Sequence, residues 1–255
     1  MSVFAGYSRY YDLLYRDKDY AGEAEYIEGL IRKYAPNAKT LMEIGCGTGA
    51  HAAELAQMGY EVSGVDMSEG MLEAAESRRS SLDDDVAARL EFSHGDARSV
   101  RLAKKFDVVM SLFHVMSYQT SNDDLAKAFL TAREHVKAGG VFIFDCWYGP
   151  AVLRQWPTVT EKHLSDDSTE VHRTATPEIH VNDNIVDVNY VVDVRDKSTD
   201  VTEILRETHR MRYLFAPEIE LALSAAGMEL VDSRAWMKDQ PPDAETWGAV
   251  FVGRG

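Results

Sequence analysis

Glu43 stands two residues ahead of a glycine turn, Gly45-Cys46-Gly47-Thr48-Gly49-Ala50, and Asp66 closes the next apolar run, Glu61 to Asp66. Glycine lets a backbone turn sharply and come close to a ligand, and a carboxylate after the second run can accept both hydroxyls of a ribose. The spacing satisfies the G-x-G-x-x-G/A fingerprint, which serves a nicotinamide dinucleotide as well as S-adenosylmethionine. Glu43 separates the two ligands. A carboxylate beside a pyrophosphate is repelled, whereas one near an ammonium and a sulfonium is favourable. Further along, His94-Gly95-Asp96-Ala97 offers a carboxylate to accept from an adenine amino group and an amide to donate to its ring. The segment from Ser111 to Tyr118 holds His114 and Tyr118, side chains able to orient a nucleophile or take its proton. Trp147 and Tyr148 could wall a sugar or ring.

The elements that must position these residues follow from periodicity. Asp19 caps a helix whose apolar face is Ala24, Ile27 and Ile31. Leu41 to Ile44 reads as a first strand, the helix after the turn stops near Gly59, and Glu61 to Asp66 reads as a second strand before a helix capped by Ser68. Strands are expected over Arg89 to Asp96, Phe106 to Leu112 and Val141 to Asp145. A helix capped by Ser121 and Asp124 and stopped by Gly139 and Gly140 lies between the last two. This alternation predicts an α/β fold, a doubly wound Rossmann-like sheet with ligands at the carboxyl ends of its strands. After Pro150 the rhythm changes to period-two segments at residues 169–181, 185–195 and 201–215, an antiparallel meander. Pro217 starts a last helix, and Met228 to Trp236 with Thr246 to Gly255 should form a closing hairpin that makes seven strands. The expected organisation is a ligand-binding domain at 1–150 and 214–255, with a β insertion at 151–213 acting as a lid or a homodimer contact.

Composition narrows the function. A net charge of −15 over 255 residues would repel a phosphate backbone, which excludes nucleic acid as the expected partner. Only two cysteines occur, which suits a reducing compartment and no disulfide framework. Residues 1–20 show no basic start with an apolar run, and no apolar stretch reaches the ~20 residues of a membrane span, so no membrane association and a cytoplasmic location are expected. His163, His172, His180 and His209 fall at no metal-ligand spacing and read as surface or lid residues, with no metal.

With these motifs in place, the chain resembles the class I S-adenosylmethionine-dependent methyltransferases: Glu-Ile-Gly-Cys-Gly-Thr-Gly from Glu43, Gly-Val-Asp-Met-Ser from Gly64, and His-Gly-Asp-Ala-Arg from His94 match the family's three motifs. The resemblance implies that Glu43, Gly45, Cys46 and Gly47 line the methionine portion. It places Asp66 on the ribose, Met67 on adenine, Asp96 and Ala97 at its edge, and the Leu112 carbonyl at the cofactor ammonium. A closer resemblance is to enzymes that dimethylate the amino group of nucleotide-linked deoxysugars, in the segments Tyr11-Asp12-Leu13-Leu14-Tyr15, Lys18-Asp19-Tyr20 and Trp147-Tyr148. It implies that Tyr11 and Tyr20 close over the cofactor and that Trp147 and Tyr148 face the substrate. Tyr118 falls where that subgroup has its loop histidine, and Thr246-Trp247-Gly248 falls where it has a basic residue for the nucleotide phosphates. The expected activity is methyl transfer to an amino or hydroxyl group of a small polar acceptor, a nucleotide-linked or polysaccharide-precursor sugar. Alignment is the main demand of such a reaction, since holding nucleophile and methyl in line at about 3 Å accounts for roughly 7 to 11 kcal/mol of barrier. The alternatives are an NAD-dependent oxidoreductase and a non-catalytic ligand-binding module on the same fold.

Overall fold

The computed structural model describes residues 8–255. The first seven residues, on which the reading of a missing leader partly rests, lie outside the described residues. In chain order the elements are α1 (Ser8–Leu14), α2 (Tyr20–Tyr34), β1 (Thr40–Ile44), α3 (Ala50–Gln57), β2 (Glu61–Asp66), α4 (Glu69–Ser80), α5 (Asp84–Ala87), β3 (Leu90–His94), β4 (Phe106–Ser111) and a 3-10 turn at Val115–Tyr118. They continue with α6 (Asn122–His135), β5 (Val136–Tyr148), α7 (Gly149–Gln155), β6 (Thr160–Ser165), β7 (Thr169–His180), a second 3-10 turn (Val181–Asp183), β8 (Ile185–Asp196), β9 (Thr202–Leu214), α8 (Ala216–Ala225), β10 (Glu229–Ala235) and β11 (Gly248–Arg254).

The central sheet runs β3-β2-β1-β4-β5-β11-β10, parallel through β5 and antiparallel in the closing hairpin. This is the seven-stranded Rossmann-like sheet expected from the alternation. The strand order reverses at β1 and β4, so the loops leaving their carboxyl ends diverge and open a crevice there. Successive residues of β5 face opposite layers. Phe142, Phe144 and Cys146 pack with Phe129 of α6, Leu223 of α8 and Phe251 of β11, while Val141 and Ile143 pack with Ile27 and Ile31 of α2 and Leu55 of α3. Two layers of helices thus cover a sheet apolar on both faces, the arrangement a parallel sheet requires.

Helix caps fall where the sequence places them. Asp19 accepts from Gly22 N at 2.9 Å, and Ser121 Oγ accepts from Asp124 N at 3.0 Å. The fifth strand differs from expectation, because Gly139 and Gly140 do not end α6. That helix stops at His135, whose Nδ1 is 2.7 Å from Thr131 O and whose Nε2 accepts from Leu102 N at 2.8 Å. β5 has begun by then, and the glycines form an irregularity in its pairing with β4: Gly139 takes φ +77°, and a Cβ on Gly140 would meet Asp107 O at 2.6 Å. Helices α1 and α7 and strand β6 were not foreseen either, since each is short and its period is overridden by packing.

The meander β6 to β9 is antiparallel throughout and joins the central sheet where Trp147 and Tyr148 of β5 pair in parallel with Tyr213 and Leu214 of β9. It therefore stands beside the carboxyl ends of the parallel strands. No helix among the described residues is long and apolar enough to cross a membrane.

Asp107, at the start of β4, ties this sheet together on the other side. Its Oδ2 accepts from Lys39 N and Thr40 N at 3.0 Å each and from Thr40 Oγ1 at 2.8 Å, and its Oδ1 accepts from Lys137 Nζ at 2.8 Å. Burial alone would raise this carboxyl, but the Lys137 ammonium and the three donors hold it well below the usual carboxylate range. A depressed value stabilises the fold above the unfolded-chain value of 3.8 and is lost as pH falls through the folded one. Asp107→Ala is expected to cost about 1 to 2 kcal/mol at pH 7, read by urea unfolding, with a smaller difference from wild type at pH 3. An equal difference at both pH values would contradict the clamp.

Candidate active site

The glycine turn is built by its surroundings. Gly45 and Cys46 donate their N–H groups to Val65 O at 2.7 and 3.0 Å, which pins the turn to β2. Gly45 takes φ +75°, and a Cβ there would lie 2.6 Å from the Val115 side chain, so the loop after β4 can close over the turn only because residue 45 has no side chain. Gly47 takes φ +54°, and a Cβ there would meet nothing within 4 Å. Its bare face opens onto a cavity. Asp66 completes the frame, with Oδ2 accepting from Gly47 N at 2.9 Å and Oδ1 from Ser68 N at 2.8 Å.

Two adjoining cavities share Gly45 and Asp66. The first, of about 510 Å³, is lined by Tyr11, Tyr20, Glu43, Gly45, Cys46, Gly47, Asp66 and Leu112, together with Thr48, Ala50, His51, Met71 and Phe113. The second, of about 800 Å³, is lined by Met67, Asp96 and Ala97 along with Gly95, Arg98, Val115, Tyr118 and Gln119. Every residue that the sequence proposes for the cofactor therefore borders one continuous crevice at the switch point of the sheet. Residues His51, Phe113 and Arg98 were not singled out in the sequence, because their motifs carry no distinctive spacing.

The crevice is electrostatically uneven. Glu43 is buried, and burial together with the neighbouring Asp66 carboxylate pushes its carboxyl up to about 8. Its Oε2 has no hydrogen-bond partner among the described residues, while Oε1 lies 3.8 Å from His51 Nδ1. His51 Nε2 is in turn 2.7 Å from Glu23 Oε2, which also pairs with Lys18. Burial raises Asp66 as well, against the pull of its backbone donors. At the far end Asp96 is held low by the Arg98 guanidinium, which approaches its two oxygens at 2.5 to 3.1 Å and reaches on to Asp124 at 3.1 Å. Burial pushes the Cys46 thiol well up, so it is a neutral wall and no nucleophile.

The segment α1 caps the first cavity. Thr48 Oγ1 donates to Asp12 Oδ1 at 2.8 Å, and Arg78 donates to Asp12 Oδ2 and to Thr48 O at 2.9 Å each. Lys18 lies 4.5 Å over the ring of Phe113 and 4.7 Å over that of Tyr20, and Tyr15 meets Phe113 edge-on. The same segment is fastened to the meander. Lys162 donates to Leu14 O at 2.6 Å and pairs with Asp17 at 2.7 Å, and Arg16 donates to Ser165 O at 2.8 Å.

The acceptor-side candidates stand on the loop after β4, and one of them, Tyr118, lines the second cavity. Phe113 and His114 both take left-handed conformations, φ 63° and 64°, which an L residue adopts only when its surroundings hold it. Asp145, buried at the end of β5, does so by accepting from His114 N at 3.1 and 3.2 Å. His114 Nδ1 also sits 2.6 Å from Asp145 Oδ2, off the hydrogen-bonding direction. Tyr118 is engaged from the meander: its hydroxyl is 2.7 Å from His209 Nδ1, and His209 Nε2 is 3.2 Å from Glu207 Oε2. The carboxylate fixes the proton on Nε2, so Nδ1 accepts from the Tyr118 hydroxyl. Burial raises Tyr118 well above 10 and lowers His209 below 6.5 despite Glu207, leaving both neutral at pH 7. Tyr190, pushed up to about 12 by burial, stands edge-on to His209 under the guanidinium of Arg173.

Two sequence expectations need correction here. Of the two readings of His209, surface or lid, its place on β9 of the meander leaves the second and its burial removes the first. His209 is buried against Tyr118, because β9 turns that face toward the loop after β4. Trp147 and Tyr148 do not form one wall, since adjacent strand residues face opposite ways. Trp147 meets His114 and Trp247 at ring distances of 6.4 and 5.7 Å, whereas Tyr148 packs against Phe251 in the opposite layer.

Residues 41–140 match a methyltransferase domain family. Over 223 residues, 86% of this chain and 89% of the relative, the sequence is 30% identical to dTDP-3-amino-3,4,6-trideoxy-alpha-D-glucopyranose N,N-dimethyltransferase from Streptomyces venezuelae. The chain belongs to the class I S-adenosylmethionine-dependent methyltransferases. A second relative, dTDP-3-amino-3,6-dideoxy-alpha-D-glucopyranose N,N-dimethyltransferase from Streptomyces fradiae, is 28% identical over 86% of this chain and 82% of its own length. The crystal structure of Streptomyces venezuelae DesVI superposes with a TM-score of 0.80 at 26% identity, covering 99% of both chains. The methyltransferase takes S-adenosylmethionine as its cofactor, and the oxidoreductase and binding-module alternatives fall away. The crevice fits that group: an orphaned buried carboxyl oxygen on Glu43 suits a cation, and the bare Gly47 leaves room beside it.

A cationic ligand seated at Glu43 would bind with a pH dependence. With its carboxyl near 8 Glu43 is mostly protonated at pH 7, and a bound cation favours the carboxylate, so binding should release a proton and tighten as pH rises from 6 toward 8. Calorimetry in buffers of different ionisation enthalpy measures that release. Glu43→Gln is expected to abolish it and to weaken S-adenosylmethionine by roughly ten- to a hundredfold, the worth of one hydrogen bond to a charged group. Without cofactor the sign reverses for stability. A carboxyl raised from 4.5 to about 8 costs the fold stability progressively over that interval, and Glu43→Gln should remove the loss.

Proposed function

We propose that this methyltransferase acts on the amino group of a small nucleotide-linked deoxyamino sugar, transferring methyl groups to nitrogen and not to oxygen. The observation that carries the reading is the relay Tyr118–His209–Glu207, in which Tyr118 lines the second cavity of the crevice. When bound, S-adenosylmethionine supplies a methyl group already activated on a sulfonium. What remains for the chain is to present an uncharged amine and to remove one proton from it. Tyr118 Oη donates its proton to His209 Nδ1, and a phenol oxygen in that state can accept an N–H from the acceptor. A proton passed to Tyr118 releases the hydroxyl proton to His209 Nδ1, and Glu207 stabilises the resulting imidazolium. An imidazole lowered by burial is a modest base, adequate for an ammonium with a solution value near ~9 and inadequate for an alcohol. The two relatives named above are N,N-dimethyltransferases of dTDP-linked amino sugars, which supports nitrogen and the nucleotide-linked class.

Other residues take positioning roles in this reading. Glu43 and the Leu112 carbonyl face the cationic end of the cofactor, Asp66 the ribose, and Asp96 with Ala97 the adenine. Tyr11 and Tyr20 close the methionine side from α1 and α2. His114, clamped by Asp145, and Trp147, set against Trp247, line the acceptor side, while Tyr148 supports the layer behind them. Thr246-Trp247-Gly248 offers no cation to a diphosphate.

Incubation with dTDP-linked 3-amino- and 4-amino-deoxysugars should yield products carrying one and then two additional methyl groups by mass spectrometry. The corresponding hydroxyl sugars should stay unmodified, and methylation of a hydroxyl sugar would overturn the assignment to nitrogen. Tyr118→Phe and His209→Ala should each lower kcat by about ten- to a hundredfold while changing cofactor affinity much less. The double variant should lose little more than either single one, because the groups act as one unit. Turnover in wild type should fall as pH drops through the depressed His209 value, and that limb should vanish in His209→Ala.

A further inference from the structure

The outer face of the meander carries a cluster that the methyl-transfer chemistry does not use. His163 of β6 pairs in register with His172 of β7, which pairs in register with Asp193 of β8, so the three side chains form one row across neighbouring strands. Glu161, two residues before His163 on the same strand, projects from the same face. The two imidazoles stack with centroids 4.0 Å apart and planes 8° from parallel. Donor atoms of Glu161, His163 and His172 all lie within 4.8 Å of one another. Sequence spacing conceals this grouping, because nine positions separate the histidines along the chain and only the β6–β7 register brings them together.

The geometry points to a site for a divalent transition metal of the zinc or nickel type, held by Glu161, His163 and His172. Three observations converge on it. Two imidazoles with a carboxylate are the donor set that such ions take, in place of the all-oxygen sets of calcium or magnesium. Metal–nitrogen bonds of about 2.0 to 2.1 Å put tetrahedral donors roughly 3.3 Å apart, so side-chain rotations of about 1 Å convert the present spacing into ligation. His172 Nε2 is closed off from solvent and has no hydrogen-bond partner among the described residues, while its Nδ1 faces Asp193 Oδ2 at 3.8 Å. A carboxylate behind one ring nitrogen orients the other toward a metal, the usual arrangement around ligating histidines.

The consequence lies in where the site sits. Among the described residues strand β6 pairs with β7 alone, and it carries Lys162 and Ser165, the anchors of α1 over the methionine side of the crevice. An ion bridging β6 to β7 pins the edge strand that holds this cap. Neither the donor set nor its position depends on the acceptor proposed above.

Titration of the tag-free, chelator-treated full chain with Zn²⁺ or Ni²⁺ alone tests the inference. One ion per chain is expected, with binding weakened at least tenfold in His163→Ala and in His172→Ala and several-fold in Glu161→Gln. His180→Ala, on the same sheet but outside the cluster, should bind like wild type. These side chains lie on the outer face, so the variants should retain unfolding curves like wild type in the absence of metal. Hydrogen exchange should slow in residues 160–165 on adding Zn²⁺ to wild type and not to His172→Ala. Absence of binding, or an isotherm unchanged in both histidine variants, overturns the site. Binding without protection of β6 overturns the pinning of the cap.

Discussion

Two carboxylates buried at the carboxyl edge of a parallel sheet impose the central constraint on this molecule. Glu43 stands one residue before the end of β1 inside the crevice, Asp66 ends β2, and each is raised by burial, Glu43 also by the proximity of Asp66. Removing such groups from water is costly unless they are paired or neutralised. Asp66 is partly compensated by the Gly47 and Ser68 amides, and Glu43 is compensated least, with one oxygen unpaired. The structure therefore holds a stored electrostatic preference for a cation at one defined place. A ligand with a sulfonium and an ammonium relieves it, and a pyrophosphate would aggravate it. The choice of methyl donor over hydride carrier rests on this physics more than on the glycine pattern, which both ligands share.

Around that point the chain builds a roof from two distant segments. Helix α1 reaches the glycine turn through Asp12, Thr48 and Arg78 and reaches the meander through Lys162 and Arg16. The meander brings His209 down onto Tyr118. Most of these links are hydrogen bonds and ion pairs at part-exposed positions, each worth little alone. Contacts of that kind open and close more readily than the apolar layers around β5, which suits a cover that must admit both a cofactor and an acceptor.

The relay and the crevice use burial in opposite senses. In the crevice burial favours the protonated carboxyl of Glu43, whereas at Tyr118 and His209 it favours the neutral phenol and the neutral imidazole. Tyr118 alone, raised well above 10, would be a poor base. In the proposed relay its partner is His209, which stands 91 residues further along the chain.

Local pattern was enough to read the central sheet, the helix caps at Asp19 and Ser121 and the grouping of Glu43, Asp66 and Asp96 around one crevice. Each of these depends on residues close in sequence: a strand, its turn and its cap obey periods and spacings set by backbone geometry. Gly139 and Gly140 misled because glycine marks a strand irregularity as readily as a helix end, and only Asp107 O across the pairing distinguishes the two. Tyr148 misled because its neighbour Trp147 shares its chemistry and not its face. Tertiary structure alone decided the partner of Tyr118, the clamp of Asp145 on His114 and the meeting of His163 with His172. The reason is physical: cross-strand register and the docking of a meander join residues far apart in the chain, and no periodicity along one segment encodes which distant segment will lie beside it.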